Sequence, residues 1–306
     1  MPERRQQSND ATDTGNWLLV QVMGYQNPRD AHFAFRGIPG VQITDNQYPV
    51  TNYLFLLRLF GPGAYTGRMQ LLVSVSDAAE ARAAVNGGAD IIDAKNPSVG
   101  ALGAVRPNVL SDVRTAVDSS RVVTAALGDA EPANAVEELA RDLVARGARF
   151  VKVGFAGVSD AERVEEIIER LARACASEDE ASGVVAVAYA DFEARGCIDA
   201  HALLPLAGRA GASGVLVDTA DKHGPGLLDV WSMLTLESWI SEAHAHGLMV
   251  AVAGKLGLND LQAVADAGAD VAGVRGAACI GGRVGRVSSE RVRALATRVA
   301  LQRSTT

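Results

Sequence analysis

Residues 71–100 read LLVSVSDAAEARAAVNGGADIIDAKNPSVG, a strand, a helix and a second strand in succession. The apolar run 71–75 predicts a strand. The following AAEARAAVNGG repeats apolar residues at three- and four-residue spacing and closes on glycine, the signature of a helix with a glycine C-cap. A second apolar run then opens at 90–94. The same alternation continues through runs at 122–127, 150–154, 184–189, 214–218, 248–253 and 270–275. Helix-like stretches such as NAVEELARDLVARG and LNDLQAVADAG lie between them. Eight strand–helix units in a row predict an α/β protein, a closed (β/α)8 TIM barrel, over 69–306. The triplets Gly88-Ala89-Asp90, Gly147-Ala148-Arg149, Gly211-Ala212-Ser213 and Gly268-Ala269-Asp270 each precede an even-numbered run. A tight turn from helix to strand prefers glycine followed by a small residue, which accounts for the repeat and supports the strand count.

Residues 1–68 stand outside this pattern. They hold nine of the fifteen aromatic residues and end in GPGAYTG, a loop-like composition shift. Either an extra N-terminal segment packs on the barrel, or translation starts at Met69. The second is preferred, because Met69-Gln70-Leu71 opens the first strand directly and 69–306 is a full barrel length. The leading MPERRQQSNDATDTGNWLLVQV has too short an apolar run for a secretory signal or a membrane span.

The chain carries 29 basic and 36 acidic residues, which gives no basic footprint for nucleic acid. Cys175, Cys197 and Cys279 lack CxxC spacing, so neither a disulfide framework nor a zinc site is indicated. No dinucleotide or Walker fingerprint is present, and His244 and His246, two apart in a predicted helix, cannot form a metal pair on one face. The expectations are a cytoplasmic protein without a redox cofactor or ATP site, and self-association through its outer helices.

Barrel active sites lie at the C-terminal strand ends, so the polar residues closing each apolar run matter most. The second run ends IIDAKNPSVGALGA, placing Asp93 and Lys95 two apart on one side of a strand. A lysine walled by apolar groups loses proton affinity, an ionised Asp93 opposes that, and a neutral amine there can attack a carbonyl. A surface Lys–Asp pair is the plainer alternative. Lys152 interrupts the apolar FVKVG, and a lysine inside a barrel needs either a partner or a chemical role. An ion pair with Asp93 or Asp218 would supply the first; acid–base work, the preferred reading, would supply the second. The sixth run ends VLVDTADKHGPG, offering Asp218 for proton movement and Lys222, beside Asp221 and His223, for a phosphate or alkoxide. Asp129 and Asp191 end their runs as supporting residues. The last two runs end VAVAGKLG and VAGVRGAACIGGRVG, where Gly254 and Gly276 could form an anion nest completed by Arg275 or Lys255. Cys279 reads as a small buried residue.

The segments LLVSVSDAAEA, GGADIIDAKNPSVGALGA, FVKVGFAGV, VAVAYAD, VLVDTADK, VAVAG and GVRGAACIGG occur in an order that resembles the (5-formylfuran-3-yl)methyl phosphate synthase family, also called 4-(hydroxymethyl)-2-furancarboxaldehyde-phosphate synthase. The resemblance runs from Met69 to about Leu301 and leaves residues 1–68 unmatched. It implies condensation of two glyceraldehyde 3-phosphate molecules, with no metal or organic cofactor, into a furan for methanofuran- or methylofuran-type cofactor synthesis. It also implies that Lys95 is the Schiff-base lysine, Lys152 the proton acceptor, and Asp218 and Lys222 assisting groups. Lys255 and the stretch IGGRVGR after Cys279 depart from the family pattern, which puts the phosphate contacts in question. Two rivals stand beside this reading: a Schiff-base aldolase or isomerase on another phosphosugar, and a catalytically silent barrel that binds a phosphometabolite.

Overall fold

The computed structural model describes residues 68–130 and 132–301. Residues 1–67, all but the last of the N-terminal segment 1–68 expected from sequence, lie outside the described residues. Eight parallel strands, β1 Gln70–Val75, β2 Ile91–Ala94, β3 Val122–Asp129, β4 Phe150–Gly154, β5 Gly183–Tyr189, β6 Gly214–Asp218, β7 Met249–Val252 and β8 Val271–Val274, pair in sequence order. The ring closes where β8 pairs with β1, Gly273 opposite Leu72 and Val274 opposite Val73. All eight expected strands are present, within two residues of their expected ends, and the chain is a TIM barrel. Elements the sequence reading did not assign are a single turn at Leu227–Val230, a terminal helix Ser289–Leu301, and an antiparallel ribbon of Cys279–Ile280 with Arg286–Val287.

Period-two alternation sorts the strand residues into two layers. Leu71, Val73, Val75, Ile92 and Ala94 face outward into the apolar layer beneath the helices. Leu72, Ile91, Phe150, Leu216 and Met249 face inward and fill the barrel. Each fully buried side chain of this size contributes about 1.5–3 kcal/mol. One pleat further along β1, β2, β4 and β6, the inward residues are Ser74, Asp93, Lys152 and Asp218, all buried. The barrel is therefore apolar toward the strand starts and charged toward the strand ends.

The helix Ala78–Gly87 follows from its local sequence. Asp77 caps it by accepting from the Glu80 amide at 2.9 Å, worth about 1 kcal/mol for such a cap. Gly88 ends it at φ +94°, and Gly147, Gly211 and Gly268 adopt φ of +93°, +77° and +92° at the equivalent turns. That left-handed conformation explains the glycine of the repeat. Its third position has a separate cause where it is aspartate: Asp90 accepts from the Leu71 amide at 2.9 Å and Asp270 from the Val250 amide at 2.8 Å, joining each even strand to its predecessor. Among the described residues no helix is long and apolar enough to cross a membrane.

Candidate active site

At the strand ends a cavity of about 460 Å³ opens. Six cationic side chains line it, Lys95, Lys152, Lys222, Lys255, Arg275 and Arg283, against two carboxylates, Asp93 and Asp218. In a chain with net charge −7, this concentrates positive potential in one concave place.

Asp93 on β2 is the most enclosed of these groups, at 1% exposure. Ser74 donates to one carboxylate oxygen at 2.8 Å; Thr124 donates to the other at 2.8 Å, and so does the Lys152 ammonium from β4. Burial alone would raise the Asp93 pKa, but the charges of Lys152 and Lys95 and these donated hydrogen bonds hold it below the usual carboxylate value. The β1–β2 and β2–β3 registers set Ser74 and Thr124 directly across from Asp93. Sequence reasoning missed both; their signal is a hydroxyl residue at an inward position of an otherwise apolar strand.

Lys95, two residues past Asp93, is 9% exposed and makes no ion pair or hydrogen bond through its amine among the described residues. Burial is the main cause lowering its pKa from 10.5 to about 7; Asp93 and Asp218 pull it upward, while Lys152 and Lys222 push it further down. A primary amine with that pKa is substantially neutral at physiological pH and nucleophilic toward aldehydes and ketones.

Asp218, at the tip of β6, accepts from the Thr219 amide at 2.7 Å and from the Lys222 ammonium at 2.6 Å. The turn between them is shaped by Asp191, whose carboxylate accepts from the amides of Ala220 at 2.6 Å and Asp221 at 2.8 Å. Asp191 thus supports Lys222 through backbone. Asp129 has a similar place on the other side of β5. It accepts from the Tyr189 hydroxyl at 3.0 Å and from the Ala156 amide at 3.2 Å. Burial, with the charges of Asp129 and Asp218, drives the Tyr189 pKa well above the ordinary phenol value, so the hydroxyl keeps its proton. A Cβ on Gly154 would fall 2.4 Å from both the Asp129 oxygen and the Tyr189 hydroxyl, so this pair requires glycine there.

The expected phosphate contacts divide. Gly254 and Gly276 line the cavity, and so does Arg275, but the Arg275 guanidinium is fully committed elsewhere. It donates to both oxygens of Glu80, to the Ser74 carbonyl at 3.0 Å, to the Arg283 carbonyl at 2.9 Å and to the Gly285 carbonyl at 2.9 Å. These acceptors exhaust the donors of a guanidinium, and nothing remains for an anion. Arg275 instead locks the β8–β1 seam and the ribbon after β8, which corrects the expectation drawn for it from sequence. The cation the ribbon presents to the cavity is Arg283, half-buried, without an ion pair among the described residues, and donating to the Gly100 carbonyl at 2.5 Å. Lys255, from the loop after β7, is exposed and donates to the Gly224 carbonyl. Cys279 is buried at the foot of the ribbon, with its thiol pKa raised by burial. His244 bonds Asp270 at the far end of the barrel. Among the described residues no cluster of three or more His, Cys, Asp or Glu could hold a metal ion.

Comparison with solved structures gives the same architecture. 3-Hexulose-6-phosphate synthase aligns with a TM-score of 0.54 at 22% identity, covering 74% of this chain and 99% of that one. KGPDC from Streptococcus mutans aligns with a TM-score of 0.54 at 15% identity, covering 76% and 98%. At such identities the likeness concerns the fold alone. The sequence comparisons go further. The (5-formylfuran-3-yl)methyl phosphate synthase of Methanobrevibacter smithii is 39% identical over 215 residues, 70% of this chain and 91% of that protein. The proteins of the same name from Methanothermobacter thermautotrophicus and Methanopyrus kandleri are 38% and 39% identical, over 97% and 100% of their lengths and 74% and 76% of this chain. Since the 4-HFC-P synthase family model also matches residues 71–296, essentially the whole barrel, the chain belongs to that family of enzymes.

Proposed function

We propose that this cavity condenses two molecules of glyceraldehyde 3-phosphate into (5-formylfuran-3-yl)methyl phosphate through an imine on Lys95, supplying a methanofuran- or methylofuran-type cofactor pathway. The observation that carries the proposal is the Lys95 amine: buried, unpaired among the described residues, lowered to a pKa of about 7, and flanked by two lysine–aspartate pairs.

The carbon skeleton dictates the bonds. The formyl carbon and its two ring neighbours are one triose; the phosphomethyl group and its two ring carbons are the other. Neutral Lys95 adds to C1 of the first triose, and the carbinolamine oxygen leaves as water after taking a proton from the Lys152 ammonium. Lys152, now neutral, takes the proton from C2 of the iminium and regains its charge beside Asp93. The electron pair released at C2 expels the phosphate from C3, leaving an enol. The second triose first becomes its ketose isomer, its C2 proton moving to C1 and its C2 hydroxyl proton to the C1 oxygen. C3 of the enol then adds to the resulting C2 carbonyl, and Lys222, held by Asp218, stabilises and protonates the new alkoxide and is recharged by the proton the enol hydroxyl releases. The C1 hydroxyl of the second triose closes the ring on C2 of the first. Loss of two waters then gives the furan, and hydrolysis of the imine frees the aldehyde and Lys95. In total two trioses yield the furan phosphate, one phosphate and two waters, with no net oxidation.

Pure protein incubated with glyceraldehyde 3-phosphate is expected to generate a furan-aldehyde absorbance together with inorganic phosphate. Borohydride added during turnover is expected to leave a triose-derived adduct on Lys95. A retro-aldol product without furan, or an adduct on another lysine, would overturn the proposal.

A further inference from the structure

Two phosphorylated trioses bring two phosphates into one cavity, and only one is retained in the product. With Arg275 fully committed and Lys95 given over to the imine, the cavity keeps two further cations that answer to no carboxylate at ion-pair distance among the described residues, Lys255 and Arg283. They stand on opposite flanks. Arg283 reaches from the ribbon after β8 to Gly100, in the loop that follows Lys95. Lys255 reaches from the loop after β7 to Gly224, in the loop that follows Asp218 and Lys222. Each therefore ties its own loop to the loop beside one of the reacting groups.

The backbone at Lys255 makes the case stronger. At φ +59° it is the one non-glycine residue in the left-handed region among the described residues. A side chain with a Cβ is disfavoured there, so glycine or asparagine would serve a purely structural turn better. Strain kept at a cavity rim, on a residue that ends in an unpaired cation, points to a ligand. Arg283 carries a different cost: its guanidinium is partly removed from water, and Asp218 offsets that only from beyond ion-pair distance, a state that an incoming anion relieves.

We infer that Arg283 and Lys255 are separate phosphate receptors, Arg283 for the triose bonded to Lys95, whose phosphate departs, and Lys255 for the second triose, whose phosphate stays in the product. This division rests on the proposed condensation and deepens it. One phosphate group is held on the Lys95 side of the cavity, and the other beside the Asp218–Lys222 pair.

Two measurements test it, one independent of the reaction. With inorganic phosphate alone as probe, thermal unfolding should show stabilisation of the wild type, a smaller shift in Lys255→Asn and in Arg283→Gln, and none in the double variant. Unliganded melting temperatures should stay within ~2 °C, because both changes are at the cavity rim. With glyceraldehyde 3-phosphate, Arg283→Gln should raise the half-saturating concentration for borohydride trapping on Lys95 by about tenfold or more, the effect of one lost charged hydrogen bond. Lys255→Asn should leave trapping within about twofold of wild type while furan formation loses its saturation at low substrate, KM rising by about tenfold or more. Equal effects of both variants on trapping would overturn the division. An unchanged phosphate shift in the double variant would overturn the receptors themselves. A wild type that shifts with phosphate yet forms neither adduct nor furan would instead sink the condensation, and the assignment of the two trioses with it.

Discussion

The two ends of the barrel treat charge in opposite ways. At the strand starts the aspartates are closed within the protein: Asp90 is held by Arg68 at 2.6 Å and by the Leu71 amide, and Asp270 by His244 at 3.0 Å and by the Val250 amide. At the strand ends Asp93 and Asp218 are closed by lysines in the same manner, but Lys95, Lys255 and Arg283 find no carboxylate at ion-pair distance among the described residues. Closed charges hold strands in register. Open ones impose a cost on the empty protein, and a ligand can relieve it. The difference separates residues that serve the fold from residues that serve the chemistry, and it can be tested one lysine at a time.

The largest effect is expected at Lys95. Lys95→Met, close in shape, should lower furan formation by about 10⁴-fold or more, as loss of a covalent nucleophile does. It should also stabilise the protein at neutral and acidic pH. The sign follows from linkage. The folded pKa of about 7 lies below the unfolded value of 10.5, so between them the unfolded chain binds the extra proton and wild-type stability climbs as pH rises. Below about 7 both states are protonated and the destabilisation is present in full. Urea unfolding from pH 6 to 10 should show a steeper rise for wild type than for Lys95→Met, and parallel curves would contradict a buried, proton-losing amine. Wild-type turnover should likewise increase through about pH 7 as the nucleophile becomes neutral.

The same substitution at Lys152 should reverse the stability result. Lys152→Met leaves the Asp93 carboxylate buried without its cation, which costs about 3–5 kcal/mol. Turnover should fall by about 10²-fold or more through loss of a proton-transfer group. Adding Asp93→Asn should recover most of the stability, measured by urea unfolding, and none of the turnover. If the single Lys152→Met variant proved as stable as wild type, the Asp93–Lys152 pair would not be the closed charge its geometry describes.

How much of the molecule is legible in its sequence depends on whether the cause is local. Strands, helix ends and glycine turns rest on patterns within a few residues, and all eight strands are legible in alternating apolar runs. Asp93, Lys95, Lys152, Asp218 and Lys222 are legible as charged residues at or near the ends of those runs, and the barrel brings all five to one cavity. Arg275 and Arg283 show where such reading stops. Arg275 closes the eighth run and Arg283 follows it, each beside glycine, and sequence offers no reason to tell the committed cation from the open one. The distinction is made by Glu80, 195 positions away on the helix after β1, and it exists only once β8 has closed against β1. Ser74 and Thr124 escape notice for a related reason, since their value lies in standing opposite Asp93 across two strand pairs.

The smallest expected effect is at the other end of the barrel, and it is the control that gives the comparison its meaning. Asp270→Ala removes the acceptor for the buried Val250 amide and the partner of His244 Nε2. An unsatisfied buried amide costs about 1–3 kcal/mol, so the unfolding midpoint should fall accordingly. Asp270→Asn, whose carbonyl can still take the Val250 amide, should lose less than half as much. In both variants turnover and borohydride trapping on Lys95 should match wild type at a temperature where the protein is folded. The strand-start charges act on register, and the apolar layer of Leu72, Ile91, Phe150, Leu216 and Met249 lies between them and the reacting amine. A drop in turnover without a matching loss of stability would mean that register at the base of β7 and β8 is transmitted to the cavity, and the two ends could no longer be treated as independent.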